Sequence, residues 1–437
     1  MSDDRWLYAW GLGYAAVGAA SLLIPLYALT LGSSALLVGL MASTAAFAGV
    51  PGALLWGRLA TRTGRRRPFV LVALAAAAIV LAVVPFVTEP WLLLVANATL
   101  WFVVAAAAPV LNLIVVDGVP DTHWDDRIAR LNEIQGYGWL LGLVSGAGWM
   151  ALAEPRLGNV DAQQLFFSLI ATTTFLAFLL ARTWYPEPSM ISRDRFIRVY
   201  RTLGRGRWGA GRYVRAIPYG PARIYWGLAS FNVRRFTDRA TSSLGAYLLA
   251  AVVFFVGFSV YFGPLPAYLT DLQYSTDQIF ILFVVNSAGS AVFYGRVGAL
   301  AAKWESHRLQ TGALGARTLL FPGVALVGGI GALAGFSGLL VLFALIGVTW
   351  AIIAVTATSI VTRLAPASVR GEALGAYTAL SSIGGGIGSA IGGALADSMG
   401  YGVTFGVAAA LVLLGAGLVL AGRAGILGTR SPFGDTI

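Results

Sequence analysis

Long uncharged runs of apolar residues recur along the whole chain, separated by short polar connections. Within each run the apolar residues are continuous and do not alternate with polar ones, which is typical of membrane-spanning helices and not of barrel strands. A helix needs about 20 residues to cross the hydrocarbon core of a bilayer. The pattern predicts twelve spans, numbered in chain order: 6–31, 34–56, 68–88, 91–116, 132–153, 164–184, 243–270, 277–294, 318–336, 339–362, 373–396 and 401–421. The expected fold class is an all-α integral membrane protein with twelve transmembrane helices.

Basic residues collect in alternate connections between these spans. Besides the long connection between spans 6 and 7, the basic connections carry Arg58, Arg62, Arg65, Arg66, Arg67, Arg127, Arg130, Arg296, Lys303, Arg308, Arg317, Arg363 and Arg370. The opposite connections carry one arginine, Arg156, and the acidic residues Glu89, Glu154, Asp161, Asp271, Asp277 and Asp397. Short cytoplasmic loops accumulate Lys and Arg. The asymmetry therefore predicts a multi-pass protein of the cell membrane with both termini in the cytoplasm.

The composition excludes several function classes. Of 437 residues, 58% are hydrophobic and 11% are charged, so little chain remains for a domain outside the membrane. The chain has no Cys and only His123 and His307, which leaves no disulfides, no thiolate metal site and few imidazole ligands. The phosphate-binding pattern Gly-x-x-x-x-Gly-Lys-Ser/Thr does not occur. We therefore expect no enzyme activity, no cofactor, no metal and no ATP hydrolysis.

The net charge of +11 is explained by the basic connections, so no nucleic-acid partner is predicted. The longest connection, residues 185–242, carries twelve arginines with aromatic residues between them. Two interpretations stay open: the segment binds anionic lipid headgroups, or it is a basic linker that only sets topology. Either one predicts an N-terminal bundle over residues 1–184, a cytoplasmic linker over 185–242 and a C-terminal bundle over 243–437.

The two bundles repeat each other at an offset of about 240 residues. The stretch 56–60 after span 2, Trp-Gly-Arg-Leu-Ala, returns as Tyr-Gly-Arg-Val-Gly at 294–298 after span 8. The basic start of span 5 at Arg127 returns at Arg370 before span 11, and Pro25-Leu26 returns as Pro264-Leu265. Six spans, a linker and six spans in the same orientation predict two parallel repeats with a binding cavity between them near the membrane midplane.

The connection after span 2 resembles the signature loop of the major facilitator superfamily. Residues 57–67 read Gly-Arg-Leu-Ala-Thr-Arg-Thr-Gly-Arg-Arg-Arg, with glycines and basic residues at that family's spacing and Thr61 in place of its acidic residue. Arg370-Gly371-Glu372 with the glycines of span 11, and Arg127 with Gly138, Gly142 and Gly146 of span 5, are similar to further family patterns, although the antiporter proline of span 5 is missing. The resemblance covers residues 6 to about 423 and implies the major facilitator fold, with a drug-efflux branch as one option.

The resemblance also implies a cytoplasmic gate that opens and closes with transport. The residues that it assigns to this gate are Gly57, Arg58, Arg62, Gly64, Arg65, Arg127, Gly295, Arg296, Arg370 and Glu372. From the residues alone, arginines such as Arg62 and Arg65 fit a role as topology determinants equally well. Glycines four residues apart, as at 138, 142 and 146, let helix backbones approach closely, either to pack statically or to slide.

The twelve predicted spans contain almost no ionisable side chains. Transport coupled to protons usually needs such a side chain inside the membrane, so proton coupling is disfavoured. The acidic residues closest to the interior are Asp117 and Glu133, which remain candidates for coupling. The family places spans 1, 4, 7 and 10 around its cavity. The neutral polar and aromatic residues of these spans that we take as substrate-path candidates are Tyr14, Asn97, Trp101, Asn112, Tyr261 and Trp350. Asn286, a neutral polar residue inside span 8, is a further candidate. Each also has a plain structural interpretation, as an interfacial aromatic anchor or an interhelical hydrogen bond.

These observations predict a monomeric secondary transporter that moves a small neutral or lipophilic solute by alternating access. A pocket of amides, hydroxyls and indoles would recognise such a solute by stacking and hydrogen bonds and not by ion pairing. Analogy with family members favours export over uptake. The alternative is a membrane receptor or interaction protein that keeps the fold but no longer transports, which the change at Thr61 and the scarcity of interior charge would explain.

Overall fold

The structure, a computed structural model, describes residues 5–63, 67–115, 124–185, 241–330, 332–366 and 369–423. These residues form thirteen α-helices and a short 3-10 turn, Val84–Phe86. The helices are α1 Arg5–Thr30, α2 Ala35–Thr63, α3 Arg67–Val83, α4 Pro90–Val115, α5 Trp124–Leu157, α6 Asn159–Trp184, α7 Ser242–Phe262, α8 Leu265–Asp271, α9 Thr276–Lys303, α10 Ser306–Gly328, α11 Ala332–Leu364, α12 Arg370–Met399 and α13 Tyr401–Arg423. They correspond to the twelve predicted spans, because α7 and α8 together form the seventh.

Nine helical segments of the described chain are long and apolar enough to cross a membrane. One of them is Ser242–Asp271, in which α7 and α8 are joined at Gly263 and Pro264. Two shorter apolar stretches, Ala35–Gly49 in α2 and Pro90–Ala105 in α4, occupy further predicted spans. The predicted start of span 9 at residue 318 is wrong, because α10 already begins at Ser306 and encloses polar and basic residues.

The helices of each half pack in the same pattern. In the first half α1 contacts α5 and α6, α2 contacts α4, and α3 contacts α4 and α6. In the second half α7 contacts α12 and α13, α9 contacts α11, and α10 contacts α11 and α13. Replacing each helix by its counterpart six spans later converts one set of neighbours into the other. The sequence repeat is therefore a structural repeat.

The contacts between the halves follow the same symmetry, since α2 packs on α12 and α5 on α9, and α8 adds contacts to α1 and α2. The linker at 186–240 lies outside the described residues, so the predicted headgroup contacts stay a prediction, and the domain boundaries at 184 and 243 stay a prediction as well. We call the two ends of the bundle the arginine end, where Arg130, Arg296 and Arg370 lie, and the acidic end, where Asp161 and Asp277 lie.

Within each half, glycines allow the helix backbones to touch. A Cβ added to Gly142 would lie 2.0 Å from the carbonyl oxygen of Ala15 and 2.7 Å from the amide nitrogen of Ala19. A similar contact occurs in the second half at Gly392 of α12, whose added Cβ would lie 2.3 Å from the carbonyl oxygen of Val260 in α7. In lipid, such close backbone approach replaces the hydrophobic drive that holds soluble helices together.

Candidate functional site: a cavity between the two halves

A cavity of about 290 Å³ lies between the two halves at mid-depth. Helices from both halves line it: α1, α2, α4 and α5 from the first, and α7, α9, α11 and α12 from the second. Its polar groups are amides and hydroxyls from Ser21, Asn97, Ser259, Asn286, Ser287, Tyr377, Thr378, Ser381, Ser382 and Ser389. Its rings come from Trp101, Trp139, Phe255, Phe262, Phe283, Trp350 and Tyr377. All of these described lining side chains are neutral, so a solute held by them would form no direct ion pair with the cavity wall.

In the first half, Asn97 and two indoles form the wall. Asn97 is 2% exposed, and its Nδ2 donates a hydrogen bond of 2.9 Å to the carbonyl oxygen of Met41, which fixes α4 against α2. The rings of Trp101 and Trp139 lie 6.2 Å apart at a tilt of 43°. Behind them, the ring of Tyr14 lies 6.1 Å from that of Trp139. The wall therefore combines a fixed amide with two large ring faces.

In the second half, Trp350 and Asn286 form the opposite wall. The ring of Trp350 meets that of Phe255 edge to face at 6.1 Å, and Phe255 in turn meets Tyr377 at 6.1 Å. Asn286 lies where α9 crosses α11, because a Cβ on Gly347 would come within 2.2 Å of the Asn286 carbonyl oxygen. Its side-chain Oδ1 is buried and has no hydrogen-bond partner among the described residues. Such an acceptor carries a desolvation cost that a donor from a solute or water would relieve.

The halves close against each other at the acidic end of the cavity. A Cβ on Gly39 of α2 would lie 2.5 Å from the Ser389 carbonyl oxygen and 2.8 Å from the Gly393 Cα in α12. The second contact is a hydrogen-bond cluster, in which Thr276 of α9 donates to Asn159 Oδ1 at 3.0 Å and accepts from Gln163 Nε2 at 3.3 Å. Nearby, the ring of Phe280 fills the space beside Gly146. These contacts separate the cavity from the acidic end.

Two carboxyl groups, those of Glu154 and Asp277, lie beside these contacts, and Glu154 follows the end of predicted span 5. Glu154 in the last turns of α5 is half-buried, and burial raises the pKa of its carboxyl above the ordinary value. The nearby Asp277 carboxylate raises the pKa of Glu154 further, while a hydrogen bond from the Thr276 backbone N–H lowers it. Because the fold raises this pKa, the folded state holds the Glu154 proton more tightly than the unfolded state, and that contribution to stability is lost as the pH rises through the raised pKa.

The structure brings four of the seven predicted substrate-path residues to the cavity: Asn97, Trp101, Asn286 and Trp350. Tyr14 packs behind the wall against Trp10 and Trp139. Tyr261 is fully buried inside the second half, stacked on Phe321 with ring centroids 4.0 Å apart. The side chain of Asn112 lies outside the described residues. The substrate path as a whole stays a prediction.

The predicted gate residues lie at the arginine end or outside the described part. Arg127 Nε donates to the carbonyl oxygen of Val115, which joins α5 to α4 within the first half. Arg296 lies over the Phe293 ring at 5.6 Å, Arg370 begins α12, and Glu372 is half-buried in its first turn. Gly295 lies in α9 with open space beside it. The described part of the chain does not include Gly64 and Arg65 or the side chains of Arg58 and Arg62. Gly57 is described only as part of the helix α2.

Of the two candidate coupling carboxylates, the structure describes only Glu133. Its carboxylate forms an exposed salt bridge of 3.1 Å with Arg130, one turn away on α5. Arg130 also donates to the Tyr8 hydroxyl, and the hydrogen bonds to Glu133 and Tyr8 raise the pKa of Arg130. Glu133 therefore lies apart from the cavity. Asp117 is outside the described residues, so its role stays a prediction.

The sequence pattern does not identify two residues at or near the candidate site. Trp139 lines the cavity from the middle of span 5, and its central position in the span is the same signal that identified Trp101 and Trp350. The sequence pattern predicts a loop at Arg317, and this prediction is wrong. It lies inside α10, 1% exposed, and donates from Nε to Thr349 Oγ1 at 3.1 Å and from Nη2 to the Ile346 carbonyl oxygen at 3.0 Å. The expectation of an uncharged interior is therefore corrected at this position.

Comparisons with known proteins agree with this architecture. A model of the Major Facilitator Superfamily matches residues 9–332. A mutant of the nucleoside transporter NupG superposes with a TM-score of 0.73 at 12% identity, covering 97% of this chain and 100% of that one. The xylose transporter XylE from E. coli, in a partially occluded inward-open conformation, has a TM-score of 0.63 at 15% identity and 99% coverage of both chains. No curated protein matches the sequence. The predicted fold class, with twelve transmembrane helices in two repeats, is confirmed.

Proposed function

Because the chain belongs to the Major Facilitator Superfamily, we propose that it moves a small uncharged solute across the membrane by alternating access, with the cavity as its central site. The observation that carries this proposal is the cavity itself, which both halves line with neutral amides, hydroxyls and aromatic rings. A site shared by two halves changes its exposure whenever one half rocks against the other. The competing hypothesis of a receptor without transport rests on Thr61 and the scarcity of interior charge alone, and the described residues add no further observation in its favour.

The cavity limits the size and chemistry of the solute. Its volume of about 290 Å³ is close to the lower end of small-molecule sites, which suits a solute with one or two rings. Indole and phenyl faces stack on flat or apolar surfaces, and the amides and hydroxyls fix a polar edge. The two structurally similar proteins are a nucleoside transporter and a xylose transporter, and nucleosides and xylose are also uncharged. These features favour a neutral polar solute over a lipophilic cation.

Orientation forms a second part of the proposal. The arginine end faces the cytoplasm in the cell membrane, in accordance with the distribution of basic residues. The cavity would then be closed toward the outside in the conformation described above. The expectation of export stays a prediction, and measuring flux from each side of sealed vesicles tests it.

The test is flux into liposomes that contain the purified protein. Radiolabelled uridine, D-xylose and chloramphenicol, as uncharged probes, are measured with and without a pH gradient and against protein-free liposomes. We expect flux of at least one probe and about a tenfold reduction by Trp350→Ala, because one ring contact contributes about 1 kcal/mol or more. Trp91→Ala, which removes an exposed indole at the end of α4, is the matched control and should transport normally. Absence of flux for all three probes, or equal flux in Trp350→Ala, contradicts the proposal.

A further inference from the structure

Three hydroxyls of the cavity wall already donate their single proton to their own helix. Ser21 of α1 donates to the carbonyl oxygen of Gly18 at 2.7 Å. In α12, Thr378 and Ser381 each donate to the carbonyl oxygen four residues earlier, at 2.9 Å and 2.6 Å. A carbonyl oxygen can only accept, so the hydroxyl is the donor in each of these bonds. Toward a solute, these three cavity-lining groups therefore offer only lone pairs and act as acceptors.

The amide of Asn97 is fixed in the same sense. Its Nδ2 donates to the carbonyl oxygen of Met41 at 2.9 Å. Reversing the amide would bring two carbonyl oxygens together, so this bond determines which end of the side chain is the oxygen. The Oδ1 of Asn97 has no hydrogen-bond partner among the described residues. Asn97 thus adds a fourth acceptor, on the wall of the first half.

The amide of Asn286 is not held at either end. Its Oδ1 is buried without a partner, and no described residue forms a hydrogen bond with its Nδ2. The side chain lines the cavity where α9 crosses α11. The torsion about its Cβ–Cγ bond is soft, so the free amide can turn its oxygen toward a solute. A buried carbonyl oxygen without a donor carries a desolvation penalty, which a donor from a solute removes.

The other polar groups of the lining do not reverse this balance. Four further lining hydroxyls, which have no hydrogen-bond partner among the described residues, are those of Ser259, Ser287, Ser382 and Ser389. A free hydroxyl rotates to donate or to accept, so these four adapt to either kind of group. Indole N–H groups of the lining can only donate. The hydroxyls and the amide that are fixed by the bonds given above are all acceptors, so a solute that uses the wall fully has to supply donors.

We propose that the cavity selects uncharged solutes by their N–H and O–H groups, with Asn286 as the residue that determines this specificity. The inference rests on the proposed function and names the substrate class of that same site: small ring solutes with more than one hydrogen-bond donor. A solute of the same shape without donors leaves the Asn286 oxygen unpaired. Sites that hold polar groups for a substrate O–H or N–H reject an analogue lacking it far more strongly than apolar pockets reject a change of shape. Lipophilic solutes without donors are then poor substrates.

A test of the free amide needs no solute. Leu has the branching of Asn without its polar atoms, so Asn286→Leu removes the unpaired acceptor at nearly constant shape. We expect the midpoint of thermal unfolding of the ligand-free protein to stay or to rise, because the desolvation penalty disappears. The matched control is Asn97→Leu, which breaks the bond to the Met41 carbonyl oxygen and should lower the midpoint. A midpoint lowered by Asn286→Leu as much as by Asn97→Leu overturns the proposal, since the amide would then be bonded within the fold.

The selection itself is measured as the shift of this midpoint by added ligands. Each pair of probes has one ring and differs in its donors: uracil and its di-N-methyl derivative, benzamide and N,N-dimethylbenzamide, and resorcinol and its dimethyl ether. In at least one pair, the donor member should bind at least tenfold more tightly, the effect of leaving one acceptor unpaired. Asn286→Leu should reduce this preference about tenfold. A preference that arises from size alone would be the same in both proteins.

Three results overturn the proposal: no stabilisation by any donor member, equal stabilisation by the methylated members, or a preference that Asn286→Leu leaves within about twofold. If Asn286→Leu does not fold, the pairs measured on the unsubstituted protein still decide it. Binding requires no transport, so the two hypotheses fail separately. A preference for donors without flux rejects the proposed function alone, and flux without that preference rejects the role of Asn286 alone.

Discussion

Gly142→Leu should leave almost no folded protein. The added Cβ would lie 2.0 Å from the Ala15 carbonyl oxygen and 2.7 Å from the Ala19 amide nitrogen, both of them backbone atoms of α1. Backbone cannot rotate away as a side chain can, so α1 and α5 would have to separate along their contact. Overpacking a tight core costs about 1 to 3 kcal/mol and sometimes more, and here the obstacle is rigid. We expect a loss at the upper end of that range or beyond it.

The matched control for this change is Gly148→Leu, two turns along the same helix. A Cβ at Gly148 meets nothing within 4 Å, so the same substitution adds a side chain without a collision. The yield of monodisperse protein and the midpoint of thermal unfolding measure both variants in the same detergent. Gly148→Leu should resemble the unsubstituted protein, whereas Gly142→Leu should be aggregated or melt far earlier. Equal midpoints for the two variants would show that the α1–α5 contact is not as tight as described.

Gly39→Leu should abolish transport while the protein stays folded. A Cβ at Gly39 collides with the Ser389 carbonyl oxygen and the Gly393 Cα, which belong to α12 in the other half. The collision therefore arises only when the acidic end is closed, and the two halves can relieve it by staying apart there. We expect flux to fall at least tenfold. Transport requires the closed state at the acidic end, and destabilising that state by about 1.4 kcal/mol or more lowers its population at least tenfold.

Folding and flux are measured together for this variant. Gly402→Leu, in a helix position where an added Cβ meets nothing within 4 Å, is the control and should keep both properties. Gly39→Leu should match it in yield and unfolding midpoint but not in flux. Transport at the normal rate by a folded Gly39→Leu protein would mean that the α2–α12 contact is not part of the cycle.

The sequence identifies the crossings well but locates their ends poorly. A continuous apolar surface is energetically favourable in lipid, so all twelve apolar runs correspond to helical crossings. Backbone hydrogen bonding continues beyond such runs, because polar residues are tolerated where a helix leaves the membrane or packs against protein. This is why α5 begins at Trp124 and α10 at Ser306, well before their apolar runs. The early start of α10 converts Arg317 from a loop residue into an interior one.

The cavity-lining set could be predicted only in part, for a related reason. Helices as apolar as α1 and α7 are hydrophobic on all sides, so the pattern does not show which side faces the cavity. Trp101 and Trp350 could be identified from their depth in the span alone. Tyr14 and Tyr261 have suitable depth as well, but they point toward other helices, and only the packing of α1 on α5 and of α7 on α10 and α13 reveals this.

If the cavity opens to one side of the membrane at a time, a reversible lock that holds the acidic end closed should stop transport. Thr276 Oγ1 and Asn159 Oδ1 lie 3.0 Å apart across the two halves, so these neighbouring positions are suitable for a trial disulfide. In a chain without native cysteines, Asn159→Cys with Thr276→Cys should cross-link under mild oxidation. The cross-link should stop flux, reductant should restore it, and each single variant should be insensitive to oxidant. Full cross-linking with unchanged flux would contradict alternating access.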